Sequence, residues 1–407
     1  MRLIIFNTLA LTLILILNIG CSRKKTINEN KFISEVNAIK INVDMSSPTS
    51  VDVAPILDSV RYVKLQLTDE SIIGYIQKVV VYEDRIYILD TQTNSLFVFD
   101  IDGNYIFKIA NIGLGPEEYS QIDFLDIDTE NKQIVLTDLM GYWVMRFDMN
   151  GVFLSRKKIP LWGEGITPYE GGIILIANFR DNRNSLEKNF NLFYLDSLMH
   201  VEKAYFPYDL PVSSEKYPRS ASPKSGFFYH YQNNLYYFPT LGNCIYQVTK
   251  EGLAPKYIVD FGNKTYNTSD WSQTDILEKY IVDKAGDQEY YEITSVLETN
   301  EYLNFSFSKG SFPVIYSTFY SKKDGKIINA FQYMNGLDSF SGTPAIATYN
   351  SWFVSEIPVE GLIYWREANE KNKDLLQNKF SRKKMDIAKG ITLDDNSILE
   401  FYKFKAN

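Results

Sequence analysis

Histidine is the scarcest functional residue in this chain. Its 407 residues hold only two, His200 and His230, with no His-x-His pair. A three-ligand zinc site would have to be built from carboxylates. Cysteine is equally rare, at Cys21 and Cys244, with no Cys-x-x-Cys. Once Cys21 is taken by the N-terminal chemistry described below, Cys244 has no intramolecular disulfide partner. Stability must then come from packing. Positive charge is in deficit, with 42 Lys and Arg against 50 Asp and Glu and a formal net charge of −8. An acidic chain is a poor polyanion binder, which excludes nucleic acid as a partner. There is no Gly-x-Ser-x-Gly elbow and no Ser/His/Asp set. No metal, cofactor or catalytic residue is expected from these motifs.

Long apolar runs are also missing, with one exception. Leu3 to Ile19 is apolar but for Asn7, Thr8, Thr12 and Asn18, and it follows Met1-Arg2. A short positive start, an apolar core and a small residue before the cut make a secretory signal over residues 1–20. A membrane span would need about 20 apolar residues, and this run is shorter and polar at its end. Gly20-Cys21 resembles the cleavage site of bacterial lipoproteins, in which Cys21 becomes the acylated first residue. Asn18 departs from that pattern, which prefers Leu three places before the Cys. Acylation implies a membrane anchor at Cys21. Residues 21–50 are polar, rich in Lys, Asn, Ser and Thr, and are expected to form a flexible tether.

What the sequence has in quantity is aromatic residues, 29 Tyr and 26 Phe. These favour pleated, half-buried surfaces, so the composition predicts an all-β fold. A repeat gives that fold its form. Ile86-Tyr-Ile-Leu-Asp90 matches Ile134-Val-Leu-Thr-Asp138, and Phe99-Asp-Ile-Asp-Gly103 matches Phe147-Asp-Met-Asn-Gly151, both at an offset of 48. Leu235 to Gly252 repeats the internal spacing. Weaker copies run from Gly172 to Phe206 and from Asn304 to Phe331, and a degenerate one from Pro344 to Tyr364. In the first unit the strands are expected at 76–81, 85–89, 95–99 and 105–109. Asp102-Gly103 and Asn150-Gly151 form hairpin turns, because glycine accepts the positive φ they need. Four strands at a period of 40–50 residues predict propeller blades.

The expected architecture is therefore a six-bladed β-propeller over residues 51–407, with four-stranded antiparallel blades. Val60–Leu65 and Ile398–Phe404 are orphan strands at the two ends of the chain. They are predicted to complete one blade together and so close the ring. Two stretches are expected as small helical insertions. These are Asp270 to Thr299, with Ile276, Leu277, Tyr280 and Ile281 at helical spacing, and the charged Glu367 to Lys384.

Candidate site residues are few. His230 lies in Phe227-Phe-Tyr-His-Tyr231, an inner strand that lines the channel. Trp162, Tyr169, Arg180 and Arg183 put aromatic rings beside polar groups in loops and suit a sugar or peptide platform, with Trp143 assigned to blade core. Asp90 and Asp138 share one blade position and are expected to cap loop N–H groups. Asp100-x-Asp102-Gly103 lacks the remaining ligands of a calcium loop and is assigned to the hairpin. Gly113-Leu-Gly115 precedes no helix and is assigned to an interblade turn.

The unit from Tyr87 to Ile106, followed by Gly113-Leu-Gly-Pro-Glu-Glu-Tyr119, resembles an NHL-type blade. It has Asp90 and Asn94 between the middle strands, an apolar strand ending at Asp100, and an Asp-Gly turn. The Cys21 leader, the Val60–Leu67 opening strand, the Gly113–Tyr119 loop and the Asp394–Phe404 ending are similar to those of six-bladed β-propeller lipoproteins of the Bacteroidota. That resemblance implies a fold and an outer-membrane compartment, but no reaction. Surface-exported members carry acidic residues after the Cys, whereas Ser22-Arg-Lys-Lys25 is basic, so the periplasmic face is expected. The function expected is a binding or scaffold module for a glycan, peptide or protein partner. The competing expectation is a carbohydrate-directed hydrolase or lyase using carboxylates in the central channel.

Overall fold

The computed structural model describes residues 25–34, 37–44, 51–52, 56–208, 227–239, 242–262, 291–309, 314–330, 333–334 and 344–405. Six four-stranded antiparallel sheets stand in a ring. Blade 1 comprises Ile76–Tyr82, Arg85–Asp90, Ser95–Asp100 and Tyr105–Ile109. Blade 2 comprises Phe124–Asp128, Gln133–Asp138, Trp143–Asp148 and Phe153–Lys158. Blade 3 runs from Gly165–Tyr169 through Gly172–Ile176 and Asn189–Leu195 to Val201–Tyr208. Blade 4 is Phe228–Tyr231, Asn234–Tyr237, Cys244–Val248 and Leu253–Asp260. Blade 5 is Tyr291–Glu298, Tyr302–Lys309, Val314–Ser321 and Ile327–Ala330.

Blade 6 closes the ring as the sequence predicted. Ala347–Tyr349, Trp352–Ile357 and Ile398–Phe404 supply three strands, and Leu57–Lys64 from the other end of the chain supplies the outermost. The last two pair antiparallel, from Ile398 opposite Lys64 to Phe404 opposite Leu57. Joining the two ends in one sheet removes the open seam a linear array would leave.

The cores lie between blades, and the strand period explains why. Successive side chains of a strand point to opposite faces. Ile86 and Ile88 pack toward blade 6 with Val354, Leu399 and Phe401. Tyr87 and Leu89 point the other way, toward Leu125, Ile134 and Phe147 of blade 2. Corresponding apolar clusters fill the other four boundaries. Both faces of each blade are thus buried, so the middle strands are near-continuous apolar runs.

Turn chemistry follows the repeat. Gly103 and Gly151 have φ of +90° and +84°. The Asp100 carboxylate accepts from the N–H groups of Asp102 and Asn104, and Asp148 accepts from Asn150 and Val152. Asp90 accepts from the N–H groups of Gly74, Tyr75, Gln92 and Thr93. Asp138 accepts from those of Ser120 and Gly141. Each ties its own blade to the incoming interblade loop, which is the capping role expected of it.

Three expectations are corrected. The degenerate copy does not extend to Tyr364. Strand pairing stops at Ile357, and Pro358 begins helix α1 (Val359–Asn369), whose Val359, Leu362 and Trp365 recur at helical spacing on the buried side. Helix α2 (Lys379–Ala388) follows, capped by the Asn378 side chain. Together they form the second helical insertion and pack through Leu362, Trp365 and Met385 on Ile357 and Ile398. The first expected insertion is overturned at its C-terminal end, since Tyr291–Glu298 is the inner strand of blade 5. Its buried Val296 packs between blades, and Ile276, Leu277, Tyr280 and Ile281 lie outside the described residues.

The third correction concerns residues 21–50. The described part is laid against the rim instead of hanging free. Lys25 bridges to Leu186 of blade 3, and Asn30 N–H donates to Ala204 O. Phe32 meets the rings of Tyr205, Phe206 and Tyr246 at 5.6, 5.2 and 5.5 Å. Ile39–Asn42 then adds a fifth, parallel strand to the outer edge of blade 4. Ile41 is buried there. A mostly polar stretch is held there by backbone pairing together with the burial of Ile41 and Val43.

Candidate functional site

The inner strands of four consecutive blades each bring one polar side chain to the channel. Asp126 comes from blade 2, Thr167 from blade 3, His230 from blade 4 and Lys78 from blade 1. Each sits inside an inner strand, where its neighbours pack between blades and it does not. Asp126 and Thr167 are buried. The Thr167 hydroxyl donates to Asp126 Oδ2 at 2.6 Å, and the N–H of Ile127 donates to Asp126 Oδ1 at 2.8 Å. His230 Nε2 lies 3.6 Å from Asp126 Oδ2. That nitrogen is buried and makes no hydrogen bond. Burial raises the proton affinity of Asp126. The charges of Lys78 and His230 and the Thr167 hydrogen bond outweigh it and hold the carboxyl well below the usual carboxylate range.

Two other buried charged groups are fully engaged by the scaffold. Arg146 of blade 2 donates to Asp128 at 2.6 Å, to Gln133 at 3.1 Å and to the carbonyl of Gly172 in blade 3 at 3.1 Å. Glu298 of blade 5 accepts from the phenols of Tyr229 and Tyr257 of blade 4 at 3.1 and 2.8 Å, and from Lys322 at 2.8 Å. Burial and the Glu298 charge push both phenols up from their ordinary value. These clusters bind blade to blade.

A second, exposed arrangement stands on the rim of blades 2 and 3. The loops between blades and those between second and third strands emerge at the same end of the ring. Trp162 lies in such a loop and is 42% exposed. The Arg180 guanidinium stands 4.8 Å from the Trp162 ring centre. Glu164 holds Arg180 at 2.5 Å and accepts from Asn178 Nδ2 at 2.6 Å. Asn182 clamps the backbone of Trp162, accepting from its N–H at 2.7 Å and donating to its carbonyl at 3.0 Å. Tyr142 meets the indole edge-on at 6.4 Å. Trp143 is half-buried beside it, with Arg156 and Lys158 over its ring at 4.3 and 4.7 Å.

The candidate residues therefore divide. Trp162 and Arg180 come together on the rim. Arg183, nearby, pairs with its neighbour Asp181 through two bonds of 2.8 and 2.6 Å. Tyr169 is not part of either arrangement. It ends the inner strand of blade 3 at the opposite end of the ring and packs on Tyr194 at 5.6 Å. His230 belongs to the channel. Cys21 lies outside the described residues. Sequence reasoning missed Lys78, Asp126 and Thr167. One signal was available, since Lys78 and Asp126 are related by the repeat offset of 48 and both interrupt apolar inner strands. Among the described residues no three His, Cys, Asp or Glu side chains converge as a metal site.

Comparison with known proteins places this geometry in a family. The profile of DUF4934, described as a domain of unknown function, matches residues 36–403. No curated protein matches the chain. Among solved structures, a protein of Bacteroides fragilis assigned as exported is similar with a TM-score of 0.67 and 19% identity, covering 92% of this chain and 100% of its own. A member of the DUF4221 family from Bacteroides vulgatus is similar with a TM-score of 0.45 and 10% identity, covering 86% of this chain and 97% of its own. Virginiamycin B lyase of Staphylococcus aureus has a TM-score of 0.37 and 12% identity, with 73% and 80% covered. At these identities the likeness is one of fold.

Proposed function

The chain belongs to the DUF4934 family, and we propose that it is a binding module of the cell envelope that takes a glycan, a peptide or a segment of a protein partner into its central channel. The observation that carries this reading is the contact between His230 and Asp126. A buried ring nitrogen without a hydrogen bond faces a carboxylate at 3.6 Å. A hydroxyl or amide that enters beside the pair as the His230 ring turns to admit it can bond to both. Leaving such a nitrogen unsatisfied costs about 1–3 kcal/mol, which a ligand carrying that group recovers. Sugars and peptides are chains of such groups.

The electrostatics of Asp126 argue against its acting as a general acid. A general acid in a glycosidase needs a raised proton affinity. Asp126 is shifted the other way, so it stays charged and serves as an acceptor.

The compartment follows from the N-terminus. The NHL-like blades, the apolar leader and Gly20-Cys21 support a lipoprotein of the outer membrane, and the basic residues after Cys21 favour the periplasmic face. Changing Cys21→Ala is expected to move the protein to the soluble fraction. Retention in the membrane fraction would count against the anchor.

The test of binding is a thermal-shift screen of the mature protein against glycans, sugar acids and peptides. Ligand that binds only the native state raises the melting temperature. The reading expects a shift with one ligand class that disappears in His230→Ala. A shift of equal size in His230→Ala would remove the channel as the site, and no shift across the panel would count against a soluble ligand.

A further inference from the structure

The polar groups at the centre of the channel do not balance. Asp126 is the acceptor there, and its oxygens are served by its own strand and the next blade. Oδ1 accepts from the N–H of Ile127 at 2.8 Å and Oδ2 from the Thr167 hydroxyl at 2.6 Å. The donors that face it are left over. Lys78 follows an irregularity in its strand, where Ile76 lies opposite Asp90 and Lys78 opposite Leu89, and a bulge of this kind re-aims the side chain beside it. Its charge acts on Asp126, yet among the described residues the ammonium makes no hydrogen bond. His230 turns Nε2 to Asp126 at 3.6 Å without a hydrogen bond, and 35% of its side chain is open.

An ammonium carries three donors and a protonated imidazole two, and neither accepts. The centre of the channel therefore lacks acceptors. A hydroxyl or amide brings a donor of its own, whereas a carboxylate brings acceptors alone. Charge sets a second condition. Lys78 and Asp126 cancel, so an entering carboxylate needs one more positive charge, and a neutral imidazole supplies it by taking up a proton. Protonated, His230 donates from both nitrogens, one toward Asp126 and one toward the ligand. The charged groups of blade 5 that pack near its strand are committed elsewhere, since Glu298 is held by Tyr229, Tyr257 and Lys322. The net charge of −8 does not oppose a single carboxylate at contact, because surface charge is screened over about 8–10 Å.

We propose that the channel takes a ligand bearing a carboxylate, which pairs with Lys78 and with a protonated His230, and that this ligand is bound together with one proton. The inference rests on the channel reading given above and narrows its ligand to one that is acidic. One negative charge matches the one positive charge that His230 adds, which favours a carboxylate over a phosphate monoester carrying about two. Affinity is then linked to pH. The bound anion raises the proton affinity of the imidazole. Binding is therefore tight where histidine is protonated in the complex, and it weakens as the pH rises through that range.

Titration calorimetry of the mature protein tests this with matched probes. Glucuronate is compared with glucose, and acetyl-glutamate amide with acetyl-glutamine amide. At pH 6 one charged probe should bind at least about tenfold tighter than its neutral counterpart, and which one does so tells a sugar acid from an acidic peptide. Its affinity should fall about tenfold by pH 8. Heats measured in two buffers of different ionisation enthalpy should report uptake of a proton. Lys78→Met should weaken the charged probe about tenfold, and His230→Gln should remove the pH dependence, with the circular dichroism spectrum retained in both. Should either variant fail to fold, the charged and neutral probes on the unaltered protein decide alone. Charged and neutral probes that bind equally, and are both lost in His230→Ala, would keep the channel as the site and refute the carboxylate. Charged probes that bind Lys78→Met and His230→Gln undiminished would refute it too, by placing the site elsewhere. Absence of binding by both charged probes also refutes it, and the thermal-shift screen then shows whether the channel takes a neutral ligand.

Discussion

His230 of blade 4 faces Asp126 of blade 2 across the channel, with 3.6 Å between Nε2 and Oδ2. Neither strand is next to the other in the ring. Blade 3 lies between them and contributes Thr167 to the same carboxylate. The contact therefore reports whether three blades are correctly seated.

Asp126→Asn should destabilise the protein by about 2 kcal/mol at neutral pH, since it takes the counter-charge from Lys78 and weakens the buried Thr167 hydrogen bond. The folded carboxyl titrates below its unfolded value near 4. Its contribution is thus present in full above about pH 4 and disappears as the pH falls toward the depressed folded value. Urea unfolding of both proteins from pH 7 down to pH 3 checks this. A difference that grows on acidification would contradict the assignment.

Arg146 is expected to be the costlier deletion. Arg146→Ala leaves Asp128 buried without its partner and frees the carbonyl of Gly172. A loss of about 3 kcal/mol is expected, and Arg146→Met with Asp128→Leu should recover part of it. A double-mutant cycle in urea measures the recovery.

Ring closure predicts that the end of the chain is indispensable. Removing residues 398–407 takes out the strand that pairs with both Trp352–Ile357 and Leu57–Lys64. The truncated chain should not give a cooperative unfolding transition. Phe401→Ala, which empties a buried position between blades 6 and 1, should cost about 3–5 kcal/mol yet leave the transition cooperative. Calorimetry distinguishes the two.

The N-terminal segment should resist protease. Lys31 and Lys40 offer trypsin sites, but Lys40 lies in the parallel strand and pairs with Asp260 at 2.7 Å. Native protein is expected to survive brief digestion intact at Lys40. Phe32→Ala, which removes three ring contacts, should cost about 1 kcal/mol and speed cleavage at Lys31. Mass spectrometry of the digest identifies the sites.

Much of this protein is determined by local sequence. Alternating apolar residues at a 48-residue offset, Asp-Gly turns and the orphan strands at Val60 and Ile398 are enough to specify strands, blades and closure. Each depends on the strand period or on the backbone freedom of a glycine, which act over a few residues. The capping roles of Asp90 and Asp138 were legible for the same reason. The wrong boundaries arose where local signals compete. Val359 to Tyr364 continues an apolar stretch after a strand, and only the helical spacing of Leu362 and Trp365 against Ile398 decides for a helix.

Tertiary structure alone decided the rest. Asp126 and Thr167 are 41 positions apart and are joined only because the ring turns their strands toward one axis. His230 was visible as a candidate, but its partners were not, since one polar residue per inner strand looks unremarkable until four blades are set side by side. Residues 21–50 were read as a tether because polar composition does not report a sheet edge waiting for a fifth strand. Side-chain pattern is written along the chain, whereas convergence on a channel and pairing at a rim are properties of how the blades are arranged in space.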